Sequence, residues 1–312
     1  MIEDQESLER ALVLSKEEIE FYLEAGRIAS EVRRESSRMV EVGIPLITIC
    51  DNVEQAILDK GGNLAFPCNV CINDVAAHYS SPPEDKTIIP TKSIVKIDLG
   101  VHVDGYIADT AFSVCFDNSY EPLIRATDEA LENALKMLRP GILTLDIGKT
   151  IQETIEKWGF KPVWNLTGHQ MGKYNLHMGK TVPNVPRFNP ETLFEGDVCA
   201  IEPFATLSSG AGEVVGRRDS HIYKLNRRRP PKSSEAKQLF TFISEEFKTL
   251  PFSQRWLRNF QQNPKFNQSF KELIRTRRIR GYPVLVEKTG KPVSQTEHTA
   301  IITDNGCIIT TK

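Results

Sequence analysis

The sequence contains no run of 18 apolar residues, so it predicts no membrane-spanning helix. Residues 1–6 are rich in acids and include no apolar segment of the kind found in secretory signals. The six cysteines of the 312-residue chain lack the spacing of a disulfide framework, and the Cys68–Cys71 pair has no second pair to complete a zinc knuckle. We therefore expect a cytoplasmic protein of a reducing compartment, without a membrane partner.

The chain also lacks a large net charge. Its formal charge of −2 argues against a general binder of polyanions. That balance hides an asymmetry, because residues 217–280 carry 17 lysines and arginines against 5 acids. With 40% hydrophobic and 26% charged residues, the composition is that of a globular protein, long enough for one large α/β domain or two ordinary ones.

Two apolar segments between residues 94 and 114 flank an Asp104-Gly105 pair, which predicts a β-hairpin with a tight turn. Asp98 and Asp109 lie at similar distances from that turn, so we expect them roughly opposite each other on one face. Two facing carboxylates among apolar residues repel each other and lose solvation. A divalent cation between them would remove that cost; the alternative is a solvated face that carries two acids.

The remaining segments predict a mixed α/β chain. Ser15 and Glu18 form a capping box, which predicts a helix from there to about Val42. Further helices are predicted at about 48–60, 122–137 and 146–157, and loops at 66–78 and 167–183. The order from residue 15 to residue 159 is thus helix, helix, strands, helix, helix.

The basic segment 217–280 has a helical pattern over 235–247 and shorter ones around 256–260 and 270–274. We interpret it as a compact helical insertion with its own small core. A charged helical face is usually only solvated. The basic residues at 227–229 and 275–278 are more closely spaced than a merely solvated face would need.

Further candidates for chemistry follow the hairpin. His169 and His177 lie in the glycine-rich 167–183 segment, where a lone loop histidine would usually be only exposed. Glu202 lies on an apolar strand pattern, and Glu297 opens a C-terminal hairpin that turns at 304–306. A single acid at a strand end is usually solvated. Together with Asp98 and Asp109, however, these acids and His169 make an oxygen-rich set with one imidazole, which suits Mn, Fe(II), Co or Zn.

These residues occur in recognisable local contexts: Ile97-Asp98-Leu99-Gly100, Ala108-Asp109-Thr110-Ala111, Gly168-His169, Ala200-Ile201-Glu202-Pro203-Phe204 and Thr296-Glu297-His298. In these motifs and their order, nearly the whole chain resembles the methionine aminopeptidases of the pita-bread metallopeptidase family. The basic insertion makes the chain similar to the type 2 branch of these enzymes. Because it lacks a long charged N-terminal extension, it most resembles the short archaeal form of that branch. The resemblance implies an α/β (α+β) pita-bread fold with pseudo-twofold halves, a catalytic domain of residues 1–216 and 281–312, and a winged-helix-like helical subdomain at 217–280.

The resemblance also implies roles for single residues. Two divalent metal ions would be held by Asp98, Asp109, His169, Glu202 and Glu297, and Glu202 would also move the proton. His78 and His177 would contact the substrate and stabilise its carbonyl oxygen and the tetrahedral intermediate, and Phe66, Phe204 and Tyr282 would line the methionine pocket. His221 matches only after a shift of one residue. Asn69 and Leu176 stand where some relatives have glycine and isoleucine, which affects the shape of the pocket rather than the chemistry.

The implied activity is removal of the N-terminal methionine from nascent polypeptides by metal-bound hydroxide, with a preference for a small second residue. We expect a monomer without a DNA partner, and the basic insertion leaves a contact with the ribosome open as an additional interaction. One alternative is a proline-specific aminopeptidase or prolidase on the same fold, although those usually carry an N-terminal domain and only about 15 residues precede the first predicted helix here. The other alternative is a non-catalytic protein that binds RNA or the ribosome through the insertion, although such relatives have typically lost metal ligands.

Overall fold

The structure, a computed structural model, describes residues 14–227 and 229–312. Its helices are α1 (Lys16–Ser37), α2 (Leu46–Asp59), α3 (Glu121–Met137), α4 (Thr144–Lys157), α5 (Ser234–Glu246), α6 (Arg258–Gln261) and α7 (Phe266–Arg275), with 3₁₀ turns at Asn118–Tyr120 and Gln254–Leu257. The strands are β1 (Asn63–Ile72), β2 (Val75–Ala77), β3 (Ile94–Val103), β4 (Tyr106–Cys115), β5 (Lys161–Pro162), β6 (Thr167–Met171), β7 (Thr181–Pro183), β8 (Val198–Ile201), β9 (Phe204–Thr206), β10 (Val214–Gly216), β11 (Ile222–Leu225), β12 (Phe252–Ser253), β13 (Ile279–Tyr282), β14 (Leu285–Glu287), β15 (Val293–Gln295), β16 (His298–Ile302) and β17 (Cys307–Ile309). None of the helices in these two ranges is both long and apolar enough to cross a bilayer.

In the first half of the chain, α1 and α2 pack on the three-stranded sheet β1-β3-β4. The predicted capping box is present, since the Ser15 hydroxyl accepts from the Glu18 amide and the Glu18 carboxylate accepts from the Ser15 amide. The helix ends at Ser37 rather than near Val42. The prediction was too long because Val40 leaves the helical path and is buried in the core between α1, α2 and the sheet.

The predicted loop at 66–78 is wrong. Most of that segment belongs to β1 and β2, and β1 pairs antiparallel with β3. Residues 65–71 of β1 are all buried, so this stretch lacks the alternation of a half-exposed strand, and Pro67 argued against a strand. The register shifts between Phe66 and Asn69, so the strand is irregular where it passes the hairpin aspartates, and Asn69 faces Asp98.

In the second half, α3 and α4 share a separate apolar core with the sheet β17-β16-β8-β6-β7. The predicted loop at 167–183 is also only partly a loop. Its ends form β6 and β7, and His169 lies on β6, paired with Ala200 of β8. Glycine at 168 is required there, because a Cβ at that position would lie 2.2 Å from the Ala200 carbonyl oxygen. Glycine at position 168 therefore reflects close packing of β6 on β8 and not a loop.

The two halves meet along β4 and β16. Ala111 and Glu297 exchange both backbone hydrogen bonds, with N···O distances of 3.4 and 3.0 Å. Next to them, the Thr299 hydroxyl accepts from the Asp109 amide and donates to the Asp109 carbonyl oxygen, both at 2.8 Å. This seam brings acids from distant parts of the sequence onto neighbouring strands.

The insertion has its own core, but it is not purely helical. Its helices α5 and α7 pack with a small antiparallel sheet, β12-β11-β13, around side chains that include Leu239, Phe252 and Leu273. Strand β13 continues past the predicted boundary at residue 280 to Tyr282. Of the predicted basic run 227–229, Arg228 lies outside the described residues.

A buried ion pair attaches the insertion to the first half. The Arg255 guanidinium is 3% exposed and donates to Glu54 of α2 at 2.7 and 2.9 Å. It also donates to Asp51 at 2.7 Å and to the Ser81 carbonyl oxygen at 2.7 Å, and the Trp256 indole N–H donates to Glu54 at 2.8 Å. These contacts satisfy a charge pair that would otherwise be costly to bury.

We expect Arg255→Ala to lower the free energy of unfolding by about 3–5 kcal/mol, because it leaves the buried Glu54 carboxylate without its counter-charge. Chemical denaturation monitored by fluorescence measures the change. Arg258→Ala is the matched control, because the Arg258 side chain is 72% exposed and contacts Asp51 weakly, at 3.5 Å. Its loss should change the free energy of unfolding by less than about 1 kcal/mol. Equal effects of the two variants would contradict the stabilising role of the Arg255 ion pair.

Candidate metal centre

The hairpin places Asp98 and Asp109 on the same face. Its turn is Asp104-Gly105, both with positive φ (48° and 91°), as the predicted two-residue turn requires. Asp98 faces Ala111 and Asp109 faces Gly100, so the two aspartates are diagonal neighbours two positions apart in register. Diagonal side chains on one face are within mutual reach.

A histidine and two further acids from the second half converge on Asp109. Single ligand atoms of Asp109, His169 and Glu297 all lie within 4.8 Å of one another. His169 Nε2 is 3.6 Å from Asp109 Oδ2 and 3.7 Å from Glu202 Oε1. Glu202 follows β8, directly after the strand that pairs with β6. All five predicted ligand residues line one cavity.

The electrostatics of the cluster are unfavourable for the protein alone. Burial raises the pKa of Asp98 to about 7, against a partial opposing effect of the Gln295 amide. Burial and then the neighbouring carboxylates raise the pKa values of Asp109, Glu202 and Glu297 well above their ordinary values. Burial lowers the pKa of His169 well below its usual value, so the ring is neutral and available as a metal ligand.

This donor set fits a divalent cation. Asp98 Oδ1 and Asp109 Oδ1 are buried and have no hydrogen-bond partner in the part of the chain that the structure describes. Buried polar atoms are normally paired, so unpaired oxygens on two adjacent carboxylates indicate a missing counter-charge. Carboxylate oxygens with one imidazole are ligands for Mn, Fe(II), Co or Zn, whereas structural zinc sites commonly use thiolates.

We expect the metal-free Asp98→Asn variant to gain stability over the metal-free wild type as pH rises. In the folded protein the Asp98 carboxyl group holds its proton until about pH 7. Below the pKa of the unfolded chain the group is protonated in both states, so it does not reduce the free energy of unfolding. The penalty grows between about pH 4 and pH 7 as the unfolded group ionises while the folded group stays protonated, and asparagine removes it. Melting temperatures in chelator should differ by about 5 °C or more at pH 8 and converge near pH 4.5. A difference that is independent of pH would refute this.

The cavity next to the acids has a volume of about 200 Å³. The predicted pocket residues Phe66, Phe204 and Tyr282 and the predicted histidines His78 and His177 all line it. Phe66 and Phe204 are buried, and the ring of Tyr282 lies 5.3 Å from that of His78, edge to face. The ring of His177 lies 4.3 Å from that of His169 at the more exposed mouth.

The tautomer of His78 follows from its backbone neighbour. His78 Nδ1 is 3.2 Å from the Pro283 carbonyl oxygen, which can only accept, so Nδ1 carries the hydrogen. Burial lowers the pKa of His78 to about 4, which keeps the ring neutral near pH 7. Nε2 is then an acceptor. The positive φ of 66° at His78 is an unusual backbone conformation for a residue with a side chain.

Several cavity residues carried no sequence signal. Asn69 and Leu176, which were singled out only as departures from relatives, line the cavity as well. The remaining lining residues are Ala77, Asn165, Leu166, Thr167, Ile222 and Pro251. Ile222 and Pro251 belong to the insertion, so no local motif ties them to the acids. His221 does not line the cavity; it lies 3.4 Å from Asp219, and its ring is 5.2 Å from that of Tyr79.

The sequence from residue 20 to residue 225 matches the family model of metallopeptidase family M24. Over 297 residues it is 45% identical to a methionine aminopeptidase of Methanothermobacter thermautotrophicus, an alignment that covers 94% of this chain and 99% of that relative. The chain belongs to metallopeptidase family M24, among its methionine aminopeptidases. A methionine aminopeptidase of Methanocaldococcus jannaschii is 43% identical over 298 residues, 95% of this chain and all of the relative.

Solved structures agree with the pita-bread fold of this M24 chain. A thermophilic Arx1 superposes with a TM-score of 0.83 at 21% identity, over 96% of this chain and 91% of the other. The methionine aminopeptidase of Thermotoga maritima superposes with a TM-score of 0.70 at 23% identity, over 96% and 98%. At such identities the likeness supports the fold alone. The predicted α/β pita-bread fold and family are thus confirmed, and membership in M24 makes the chain a metallopeptidase that uses divalent metal ions.

Proposed function

We propose that this protein is a methionyl aminopeptidase that removes the N-terminal methionine of nascent polypeptides with the help of divalent metal ions. The observation that carries the proposal is the buried cluster of Asp109, His169 and Glu297 at one apolar cavity, in a chain 45% identical to a methionine aminopeptidase. That identity over nearly the full length favours this activity over the proline-specific alternative. The retained acids and histidine argue against a purely non-catalytic protein.

Two metal ions are proposed, with ligands from Asp98, Asp109, His169, Glu202 and Glu297. The four carboxylates supply enough negative charge to balance two divalent cations, and their raised pKa values indicate how strongly they need that balance. The ions would be Co, Mn, Fe(II) or Zn. When bound, they lower the pKa of water and polarise the scissile carbonyl group.

The chain's own residues would move the proton and orient the peptide. Glu202, beside His169 and at the edge of the ligand set, would take a proton from the attacking water on its Oε1 and pass it to the leaving amine. His177, at the mouth, would donate to the carbonyl oxygen as charge develops there. His78 has its hydrogen on Nδ1, so its Nε2 would accept from a substrate N–H; this differs from the oxygen-stabilising role that the resemblance implied.

Phe66, Phe204, Tyr282 and Ile222 would enclose the methionine side chain in the cavity of about 200 Å³. A preference for a small second residue is proposed from the resemblance to methionine aminopeptidases. A flexible thioether suits an apolar cavity of irregular shape. We further propose that the protein acts in the cytoplasm as a monomer.

Hydrolysis of two peptides tests the activity. Met-Ala-Ser should release free methionine, and Ala-Pro-Ser, with proline at the second position, should be cut at least about 100-fold more slowly. N-acetylated Met-Ala-Ser is the control and should not be cut, because an aminopeptidase acts on a free N-terminal amine. Faster hydrolysis of Ala-Pro-Ser would favour the proline-specific alternative.

A ribosome contact through the basic insertion is a second proposal. The excess of 12 basic residues in 217–280 supports it, since such a surface binds phosphate backbones in a salt-dependent way. Sedimentation with ribosomes at two salt concentrations tests it. Neutralising Arg227, Arg228 and Arg229 should weaken the binding, and unchanged binding would remove this stretch from the contact.

A further inference from the structure

The sheet of the insertion continues the wall of the cavity outward. Strands β11 and β13 are antiparallel, with Ile222 opposite Tyr282 and Lys224 opposite Arg280. Ile222 and Tyr282 both line the cavity at the acids. Since side chains two positions apart on a strand share a face, Lys224 and Arg280 form the next pair on that same face.

This outer pair is unusual because like charges stand directly opposite each other, an arrangement that destabilises a sheet. Within residues 14–227 and 229–312, neither side chain has an ion pair or a hydrogen bond to an acid. Lys224 is partly buried, and desolvation and then the charge of Arg280 lower its pKa. Its Nζ lies 5.2 Å from the ring centroid of Tyr282, so the cation is held next to the cavity wall.

The two cations also border open space that adjoins the cavity. A second cavity of about 260 Å³ is lined by Lys224, Arg280 and Pro283, and it shares His177 and Tyr282 with the first. A peptide whose first residue lies at the acids would leave past these two shared residues. An extended chain advances about 3.3 Å per residue, the same as a strand, so the outer pair is about two residues beyond the inner pair.

We propose that Lys224 and Arg280 form an exit subsite that binds a carboxylate at the third or fourth residue of the substrate. A carboxylate there would compensate both cations and accept charge-assisted hydrogen bonds from them. The subsite selects among substrates by the charge of the side chains that come after the small second residue. This inference rests on the proposed aminopeptidase function, because the register is counted from the methionine.

Matched peptides test the subsite. Amidated Met-Ala-Glu-Ala and Met-Ala-Ala-Glu are compared with the same peptides that carry Gln or Lys in place of Glu. Amidation removes the C-terminal carboxylate, which could otherwise bind the subsite in place of the Glu side chain. At low salt, the wild-type kcat/KM for the Glu peptide should exceed the value for the Gln peptide by about fivefold at the third or the fourth residue. It should exceed the value for the Lys peptide by a larger factor. At 1 M salt the preference should fall towards unity. A non-amidated Met-Ala-Ser should show a similar advantage over its amide if the terminal carboxylate reaches the same site.

Variants separate the subsite from general charge effects. In Lys224→Gln/Arg280→Gln the Glu and Gln peptides should react within about twofold of each other, while the rate for the Gln peptide stays near that of the wild type, which also shows that the variant is folded. Arg280→Glu should favour the Lys peptide. Lys271→Gln, on the exposed side of α7, is the control and should leave the preference intact.

A wild-type Glu/Gln ratio near one at both positions overturns the subsite, as does a preference that survives in the double variant. These outcomes are distinct from failure of the proposed function, which would appear as no hydrolysis of the neutral Gln peptide and would overturn both. A preference that needs only the terminal carboxylate would also overturn the side-chain specificity.

Discussion

Glu202→Gln is expected to lower kcat by about 10²–10⁴-fold while the protein still binds metal, because the amide cannot accept and pass on the proton. The variant keeps the size of the side chain beside His169, whose Nε2 lies 3.7 Å from Glu202 Oε1. Metal content is measured by elemental analysis, and kcat with Met-Ala-Ser. The separation of these two readouts distinguishes a proton carrier from a residue that serves only to hold metal.

Glu195→Gln is the matched control for this variant, because it makes the same chemical change at an exposed position before β8 that does not line the cavity. It should leave both metal content and kcat near the wild-type values. A near-normal rate for Glu202→Gln would remove Glu202 from the proton-transfer role. Loss of metal in parallel with activity would instead assign it to the ligand set alone.

Asp109→Asn is expected to abolish measurable activity and to weaken metal binding by at least about 100-fold, more than is typical for a residue that only supports a ligand. Asp109 contributes to the tight group with His169 and Glu297, and its Oδ1 lacks a hydrogen-bond partner among the described residues. The same variant should raise the melting temperature of the metal-free protein at pH 8. Asparagine removes a buried carboxyl group whose pKa is raised by burial and by Asp98, and with it the cost of that raised pKa at pH 8.

Opposite effects on activity and on metal-free stability are the signature of a residue retained for function rather than for folding. Asp104→Asn is the control on the same hairpin: Asp104 is exposed, pairs with Lys173 at 2.7 Å and should affect neither metal binding nor activity. If Asp109→Asn destabilised the metal-free protein, the Asp109 carboxylate would have a stabilising role in the fold itself, contrary to this expectation.

The sequence was most informative where polar residues interrupt apolar strands. Asp98 and Asp109 could be placed on one face from the Asp104-Gly105 turn alone, because a two-residue turn fixes the register of both strands. The capping box fixed the start of α1 for a similarly local reason. His169, Glu202 and Glu297 could be grouped with them by residue type and by resemblance, but not placed beside them, since their convergence depends on pairing of β6, β8 and β16 from distant parts of the chain.

The strands that the sequence did not predict were missed for two physical reasons: burial on both faces and short length. Strand β1 has no polar–apolar alternation and contains Pro67, so it resembled a loop, although it lies between α2 and β3. The sheet of the insertion was missed because β12 has two residues and β11 four, too short for a periodic pattern. With that sheet the pairing of Ile222 with Tyr282 was missed too, and hence the contribution of the insertion to the cavity wall.

Titration of metal into metal-free protein tests the central claim most directly. Protein purified without oxygen and stripped by chelation is supplied with Mn, Fe(II), Co or Zn in turn, and release of methionine from Met-Ala-Ser is measured per equivalent bound. We expect no release without metal and recovery that saturates at two equivalents per chain. Full activity in protein shown to contain no metal would contradict the proposed metal-dependent mechanism.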